Sequence, residues 1–376
     1  MTAGFFAPMP PAPTGVADYA ASLFNAMSRL GSGKLTVKLN AATCDDALYH
    51  LGNNRIHEPI YRRALDEPGV IVLHDALLQH LFLATLDQDG YVAEFVYNYG
   101  AWSESLAHDL WRSRASGLRP DFYRFPMLRR VVERSLGVIV HNRVAAQVVR
   151  DHCPEVPVAE IPHLFDAPPA PPLAGVQRFR QRLGIRPEAF LFSVFGYLRE
   201  SKRLTTVLRA FRDVHNVYAS TALLIAGDFA SLDLPRTAGP LLAMPGVVRS
   251  GYLPESDFWL AAAATDACLN LRFPTCAETS GIGIRLMGAG KPVFVTAGEE
   301  VANFPEAACV RIDAGPAERE MLTGYMLWLR SSPLSAQAIG QAAAEHVRRD
   351  HSLDRVAALY WETLGKWQCA PHQNRP

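Results

Sequence analysis

The chain has 376 residues, 49% hydrophobic and 20% charged, with 37 lysines and arginines balanced by 37 aspartates and glutamates. That length at ordinary globular composition implies two domains of roughly 150–200 residues, and the balanced charge excludes a global basic field that would attract nucleic acid. Six scattered cysteines with no C-x-x-C pair argue for free thiols in a reducing compartment, against a disulfide framework or a zinc knuckle.

The opening MTAGFFAPMPPAPTG has neither a basic stretch nor an apolar run of signal-peptide length, and no segment approaches the ~18 apolar residues of a membrane helix. A cytoplasmic protein is expected. Gly15 stands just before the first helix candidate, GVADYAASLFNAMSRL; there a glycine allows close backbone approach, and the following amides suit an anion. A plain turn before a helix explains it equally well. YHLGNNRIH, residues 49–57, reads as a polar turn whose His50, Asn53, Asn54 and His57 are candidates for lining an acceptor site, although an Asn-capped turn explains each residue more simply. In VIVLHD, His74 and Asp75 follow a buried strand, where a histidine can contact a sugar or transfer a proton.

Short apolar runs without alternation recur: GVIVLHD (69–75), LGVIVHN (136–142), FLFSVFGY (190–197), TALLIAGD (221–228), DACLNLR (266–272) and KPVFVTAG (291–298). Each reads as a buried parallel strand ending in a polar residue or glycine. Helix candidates lie between them, so the fold class expected is α/β, two Rossmann-like doubly wound parallel-sheet domains with function at the carboxyl ends of the strands. FDAPPAPPLAG (165–175) is proline-rich and divides the chain. The expected organisation is a first Rossmann-like domain over 1–164, a linker over 165–183, and a second Rossmann-like domain over 184–350. A C-terminal helix within 351–376 then packs back toward the first domain and ends in a loose tail.

Two further stretches carry chemistry. In FGYLRESKRLTTVL, Gly196 ends a strand and Lys202 and Arg203 open the next helix; cations there oppose the helix dipole unless an anion intervenes. Lys202 is therefore read as a phosphate ligand, with Arg199 as an assistant. In PTCAETSGIGIRLMGAGKPV, Thr279, Ser280 and Gly281 are read as a helix start suited to a diphosphate. Glu278, just outside, suits sugar hydroxyls. Arg285 is placed on the first turns, where it suits an anion better than the dipole. A capped start to a packed Gly-Ala helix is the plainer explanation of the glycines and the serine. Residues 111–134 carry seven arginines against Asp121 and Glu133, with aromatic residues interleaved. They are a candidate contact with an anionic lipid surface or a lipid-diphosphate acceptor, or a solvated helix face.

The order PMPPAPTGVADY, YHLGNN, VLHD, FGYLRESKR, LLIAGD, GYLPESDF and PTCAETSGIGIRLMGAGKPV resembles the retaining glycosyltransferases of family 4, which have the GT-B fold with two domains about a central cleft. The branch it is most similar to serves bacterial polysaccharide and O-antigen assembly, and the resemblance spans nearly the whole chain. It implies a metal-independent enzyme without a cofactor that takes a nucleoside-diphosphate sugar in the C-terminal domain and a glycan or lipid-linked acceptor in the N-terminal domain. Gly15 then faces the diphosphate, His74 lies near the donor sugar and the acceptor hydroxyl, and Lys202 binds the diphosphate. Glu278 contacts the transferred sugar, and Tyr252 marks where backbone groups hold the base. Two positions depart from the pattern. Tyr197 replaces the arginine that precedes the lysine, leaving Arg199 or Arg203 to supply charge, and Arg285 replaces the second glutamate, which usually holds the ribose. A GT-B epimerase and a non-catalytic nucleotide-sugar or glycan-binding protein are the alternative readings.

Overall fold

The computed structural model describes residues 2–31, 36–42, 44, 46–114, 119–230 and 233–368. The chain forms two compact units. The first comprises Met1–Leu164, Pro274–Thr279 and His351–Pro376; the second comprises Phe165–Phe273 and Ser280–Asp350.

The first unit holds a six-stranded parallel sheet, built from β1 (Thr2–Phe6), β2 (Thr36–Leu39), β3 (Asp46–Leu51), β4 (Val70–Leu73), β5 (Gly137–Val140) and β6 (Val158–Glu160). Its spatial order is β2-β1-β3-β4-β5-β6. Alternate residues of β4 serve opposite faces, as strand geometry requires. Ile71 and Leu73 join a cluster with Tyr91 and Phe95, while Val70 and Val72 join Tyr19, Leu23 and Tyr360. Both faces are therefore covered, which is why these strands read as unbroken apolar runs.

The second unit repeats the arrangement with β7 (Phe190–Phe195), β8 (Thr221–Ala226), β9 (Val247–Gly251), β10 (Ala267–Asn270), β11 (Val293–Thr296) and β12 (Val310–Ile312). Their order is β12-β11-β10-β7-β8-β9, all parallel. Leu191 and Phe195 pack with Phe258 and Met287 on one face, and Phe192 and Val194 with Leu208 and Phe211 on the other.

In each sheet the strand order reverses once, between β1 and β3 in the first and between β7 and β10 in the second. Connections leave such a point in opposite directions and open a crevice at the carboxyl ends of the strands, where ligands of doubly wound sheets bind.

The helix Gly15–Leu30 has the expected bounds: Thr14 caps it by accepting from the Val16 amide at 3.4 Å, and Tyr19, Leu23, Ala26 and Met27 face the core. The C-terminal helix Leu353–Gln368 packs on this same unit through the 2.8 Å Tyr19–Tyr360 hydroxyl pair and the bond from Trp361 Nε1 to the Met27 carbonyl. The expected tail beyond it lies outside the described residues. The linker expected over 165–183 is largely helical: Leu173–Arg182 is a helix of the second unit, burying Phe179 and pairing Arg182 with Asp257 at 2.7 Å. The prolines stop at Pro172, which removes the bar to helix formation. The five cysteines among the described residues are free thiols.

Candidate functional site

In the second unit, Lys202 ends the short 3-10 turn Glu200–Lys202 after β7. Arg203 takes a left-handed conformation (φ 57°), and the following helix starts only at Leu204. The two cations thus precede the helix and do not lie in its first turn, and they go to different places. The Lys202 side chain is buried and returns to the end of β7, where Nζ donates to the Phe195 carbonyl at 2.9 Å. A Cβ built on Gly196 would lie 3.6 Å from Lys202 Nζ and 3.6 Å from Ile282 Cγ1. Ile282 belongs to the first turn of the helix Gly281–Gly288. Lys202 and that helix start therefore meet at the β7/β10 reversal point.

Arg203 instead makes a two-point pair with Glu318, with bonds of 2.6–3.1 Å to a carboxylate only 2% exposed. Its charge is matched within the fold, which removes the argument that it needs an anion. Arg199 is exposed, with its guanidinium 5.5 Å from the ring centre of Tyr197, and it is the cation standing beside the position where an arginine was expected.

The helix start differs from the expected one. Ser280 is the N-cap, and its hydroxyl accepts from the Gly283 amide at 3.1 Å. Gly283 permits this packing, since a Cβ there would lie 3.0 Å from Asn270 Nδ2. Thr279 lies outside the helix, in the first unit. Arg285 sits in the last turn of this short helix, not the first, and there a cation complements the dipole. It pairs with Glu255 and stacks on Phe258 (3.9 Å) and Trp259 (4.6 Å). The short helix, ending at Gly288, reverses the electrostatic argument made for Arg285.

Arg272, which the sequence reading passed over, stands just after β10. Its guanidinium donates to Ser280 Oγ at 3.1 Å, and its amide to Thr296 Oγ1 at 2.9 Å. The available signal was its place at the end of DACLNLR, the same strand-end position that drew attention to His74. Tyr252 follows β9 and is 71% exposed.

In the first unit, Gly15 is the first residue of its helix, and a Cβ there would meet nothing within 4 Å. The position is open rather than sterically reserved for glycine. It lies in the connection that leaves β1 at the reversal point of this sheet. His74 follows β4 as expected, but both its ring nitrogens face other histidines: His50 Nδ1 lies 3.0 Å from His74 Nε2, and His141 Nε2 lies 3.3 Å from His74 Nδ1.

The turn expected at residues 49–57 is in part the buried end of β3. His50, Asn53 and His57 are buried, and only Asn54 behaves as a cap, accepting from the Ile56 amide at 3.0 Å. Asn53 Oδ1 accepts from the amides of His80 and Leu81, and its own amide donates to Asp75. Burial forces such polar groups to find partners, and here the partners are more than twenty residues away.

Burial also holds these imidazoles neutral. It pushes His50 down to about 3, with the neighbouring His141 and His57 adding to the shift. His57 and His141 fall to about 4, each opposed by a hydrogen bond to a backbone carbonyl. His74 is lowered well below its usual value, first by burial and then by the histidines around it.

The segment Pro274–Thr279 rests on the ends of β4 and β5. The Ala76 amide donates to the Cys276 carbonyl (2.9 Å), and Asn142 Nδ2 donates to the Ala277 carbonyl (2.8 Å) and to Thr279 Oγ1 (3.1 Å). Ala277 has φ 55°, so the turn is tight. Glu278 Oε2 accepts from the Cys276 amide at 2.7 Å, which bends the carboxylate back over its own turn. His74 and Glu278 thus belong to neighbouring segments of one unit, while Lys202 belongs with Ser280 and Gly281 in the other.

The basic run 111–134 is substantially neutralised where it is described; residues 115–118 lie outside the described set. Arg112 pairs with Asp109, Arg119 and Arg124 with Asp121, Arg129 with Glu133, and Arg130 with Glu94. Asp109 lies just before the run on the same helix as Arg112, and Glu94 comes from the separate helix Gln88–Tyr99. No helix among the described residues is long and apolar enough to cross a membrane, and no group of three or more His, Cys, Asp or Glu among them is arranged to hold a metal ion.

No protein-family model matches the chain, and no curated protein matches it by sequence. Solved structures match over nearly its whole length. Anabaena HepE in complex with UDP-glucose has a TM-score of 0.62 at 15% identity, covering 97% of this chain and 100% of that one. Sucrose-phosphate synthase from Thermosynechococcus elongatus has a TM-score of 0.67 at 13% identity, covering 98% and 99%. WaaG, a glycosyltransferase involved in lipopolysaccharide biosynthesis, has a TM-score of 0.62 at 14% identity, covering 96% and 99%. With two six-stranded parallel sheets in doubly wound order and this likeness across both units, the chain has the GT-B fold.

Proposed function

We propose that the chain is a glycosyltransferase that moves a sugar from a nucleoside-diphosphate sugar to a hydroxyl of a glycan or lipid-linked acceptor, with retention of anomeric configuration and without a metal. The observation that carries this reading is the meeting of buried Lys202 with the start of the helix Gly281–Gly288 at the strand-order reversal of the second sheet. A cation and helix-start amides aimed at one place suit a diphosphate. The likeness to a structure solved with UDP-glucose and to a glycosyltransferase supports it.

In this reading the bond between the anomeric carbon and the diphosphate oxygen breaks, and a bond to the acceptor oxygen forms on the same face. The acceptor proton leaves with the diphosphate. Lys202 and the Gly281 and Ile282 amides stabilise the charge that develops on the leaving group, with Arg199 and Arg272 adding positive potential. Glu278 accepts from hydroxyls of the transferred sugar, His74 lines the acceptor side, and backbone at Tyr252 holds the base. Gly15, open at the start of its helix, allows close backbone approach to the ligand.

Incubation with a panel of nucleoside-diphosphate sugars tests this. Slow release of free nucleoside diphosphate is expected; a changed sugar would instead indicate an epimerase, and binding without turnover a carbohydrate-binding protein. Lys202→Ala and Glu278→Ala are each expected to lower turnover by ~100-fold, the scale of one lost charge-stabilising group. Near-normal rates in both would refute the assignment. Co-sedimentation with anionic vesicles tests the peripheral contact expected at residues 111–134.

A further inference from the structure

Three adjacent strands of the first sheet each present a histidine at or just beyond the carboxyl end: His50 in β3, His74 after β4 and His141 after β5. Their rings form one chain of hydrogen bonds whose direction is fixed at one end. His141 Nδ1 lies 2.9 Å from the Ile161 carbonyl. A carbonyl only accepts, so His141 carries its proton on Nδ1 and, when neutral, has a bare Nε2. His74 must then donate to that nitrogen from its own Nδ1, leaving its Nε2 bare. His50 in turn donates from Nδ1 to His74 Nε2. The chain ends at His50 Nε2, which is buried with no hydrogen-bond partner.

We propose that His50 and His141 are positioning residues that hold His74 as a neutral imidazole protonated on Nδ1, so that His74 serves the site as a fixed polar wall and takes no part in acid–base chemistry. The proposal rests on the functional reading above only in treating His74 and the Glu278 segment as ligand-facing. A proton added to His74 Nε2 would meet the Nδ1–H of His50, so His74 cannot charge without rearranging a neighbour.

The surroundings oppose that rearrangement. His50 packs against Phe5 (4.6 Å between ring centres) and lies parallel to Tyr360 (6.5 Å). Tyr19 lies edge-on to His74 and His163 at 4.8 Å each, lies 5.3 Å from His141, and shares a hydroxyl–hydroxyl hydrogen bond with Tyr360. His163, 5.6 Å from His141, has Nδ1 on the Leu164 carbonyl, and His351 Nδ1 lies 2.6 Å from the His163 carbonyl. His57 Nδ1 donates to the His50 carbonyl, and Asp75, next to His74 in sequence, accepts from Asn53. The same strand ends hold the site segment: the His141 carbonyl and Asn142 side chain bond to Thr279 and Ala277, and Ala76 bonds to Cys276. The tautomer chain and the seat of the Glu278 segment thus share the ends of β4 and β5, with His141 contributing its ring to one and its carbonyl to the other.

The experiment is long-range proton–nitrogen NMR on the full chain labelled with 15N-histidine, between pH 5 and 8, each signal assigned by the single variant that removes it. His50, His74 and His141 are expected to carry hydrogen on Nδ1 and none on Nε2, with no titration in that range. His141→Gln places an acceptor near the lost Nε2 and should preserve the His74 pattern. His141→Asn keeps a donor for the Ile161 carbonyl but withdraws the acceptor, and His74 should change tautomer or begin to titrate. Turnover should fall about tenfold further in His141→Asn than in His141→Gln, the lower range for groups that orient a site residue. A wild-type His74 protonated on Nε2, or titrating between pH 5 and 8, overturns the proposal, as does a His74 spectrum unchanged in His141→Asn. The wild-type spectrum decides the matter even where a variant fails to fold. Absent turnover with the expected spectrum would overturn the glycosyltransferase reading and leave the chain of histidines standing.

Discussion

Lowering the pH from 7 to 5 should destabilise the first unit steeply, because its buried histidines stay neutral while the unfolded chain takes up protons. The sign follows from linkage: stability rises with pH wherever the unfolded state binds more protons. An unfolded histidine charges below about 6.5, whereas native His50 charges only near 3 and His57 and His141 near 4. Stability is therefore complete above pH 7, falls through the window below 6.5, and levels only below the native values. Each such residue costs roughly 1.4 kcal/mol per unit of pH in that window, or about 2 kcal/mol at pH 5. Three together amount to about 6 kcal/mol, and half of that is still a large share of a typical domain's ~5–15 kcal/mol. His152 is shifted in the same direction by burial and adds to the trend, and His346 is shifted likewise in the second unit. The window lies above the ordinary carboxylate range, so histidines dominate it. Urea unfolding at pH 7.5, 6.5, 5.5 and 5.0 should show the midpoint falling throughout. His57→Asn, which removes one neutral imidazole and can still donate to the His50 carbonyl, should reduce the slope by about one proton. A midpoint that is flat or rises between pH 7 and 5 would refute the reasoning.

Arg203→Ala should act on stability rather than on donor binding. It strands the Glu318 carboxylate, 2% exposed, at a cost of about 2–4 kcal/mol; an unchanged melting temperature together with a raised donor KM would show that Arg203 serves the ligand instead. Lys291→Met removes an ammonium that donates to the Ala263 and Thr265 carbonyls at 2.8 and 2.7 Å. Two carbonyls lose their donor, so chemical denaturation should show a loss of about 1–3 kcal/mol. Gly283→Ala puts a methyl group 3.0 Å from Asn270 Nδ2 and beside the Ser280 cap; overpacking of about 1–3 kcal/mol is expected in a thermal melt, with donor affinity reduced because the helix start moves. Unaltered stability and affinity in Gly283→Ala would mean that the contact relaxes freely.

Much of the fold was readable because burial on both faces leaves a local mark. GVIVLHD, LGVIVHN, FLFSVFGY, TALLIAGD, DACLNLR and KPVFVTAG all contain strands where expected. β1 escaped notice in a glycine-containing start ahead of a proline run, and β3 because DALYHL places Asp46 and His50 in positions that are nevertheless buried. The edge strands β6 and β9 are only partly buried and carry weak patterns. That Lys202 falls between β7 and the next helix, and Ser280 at a helix start, was legible to within a few residues, since both positions follow from local patterns.

Local patterning thus decided the α/β class, the repeated strand–helix units and the segments at strand ends, because hydrophobic period and capping act over a few residues. Only folding decided which polar groups remain available for a ligand. Arg203 is neutralised by a residue 115 positions away, and Asn142 is bound to a segment 135 positions on. His74 is locked between imidazoles 24 and 67 positions distant. The electrostatic state of a side chain depends on neighbours in space, and adjacent parallel strands bring together residues that no local window contains.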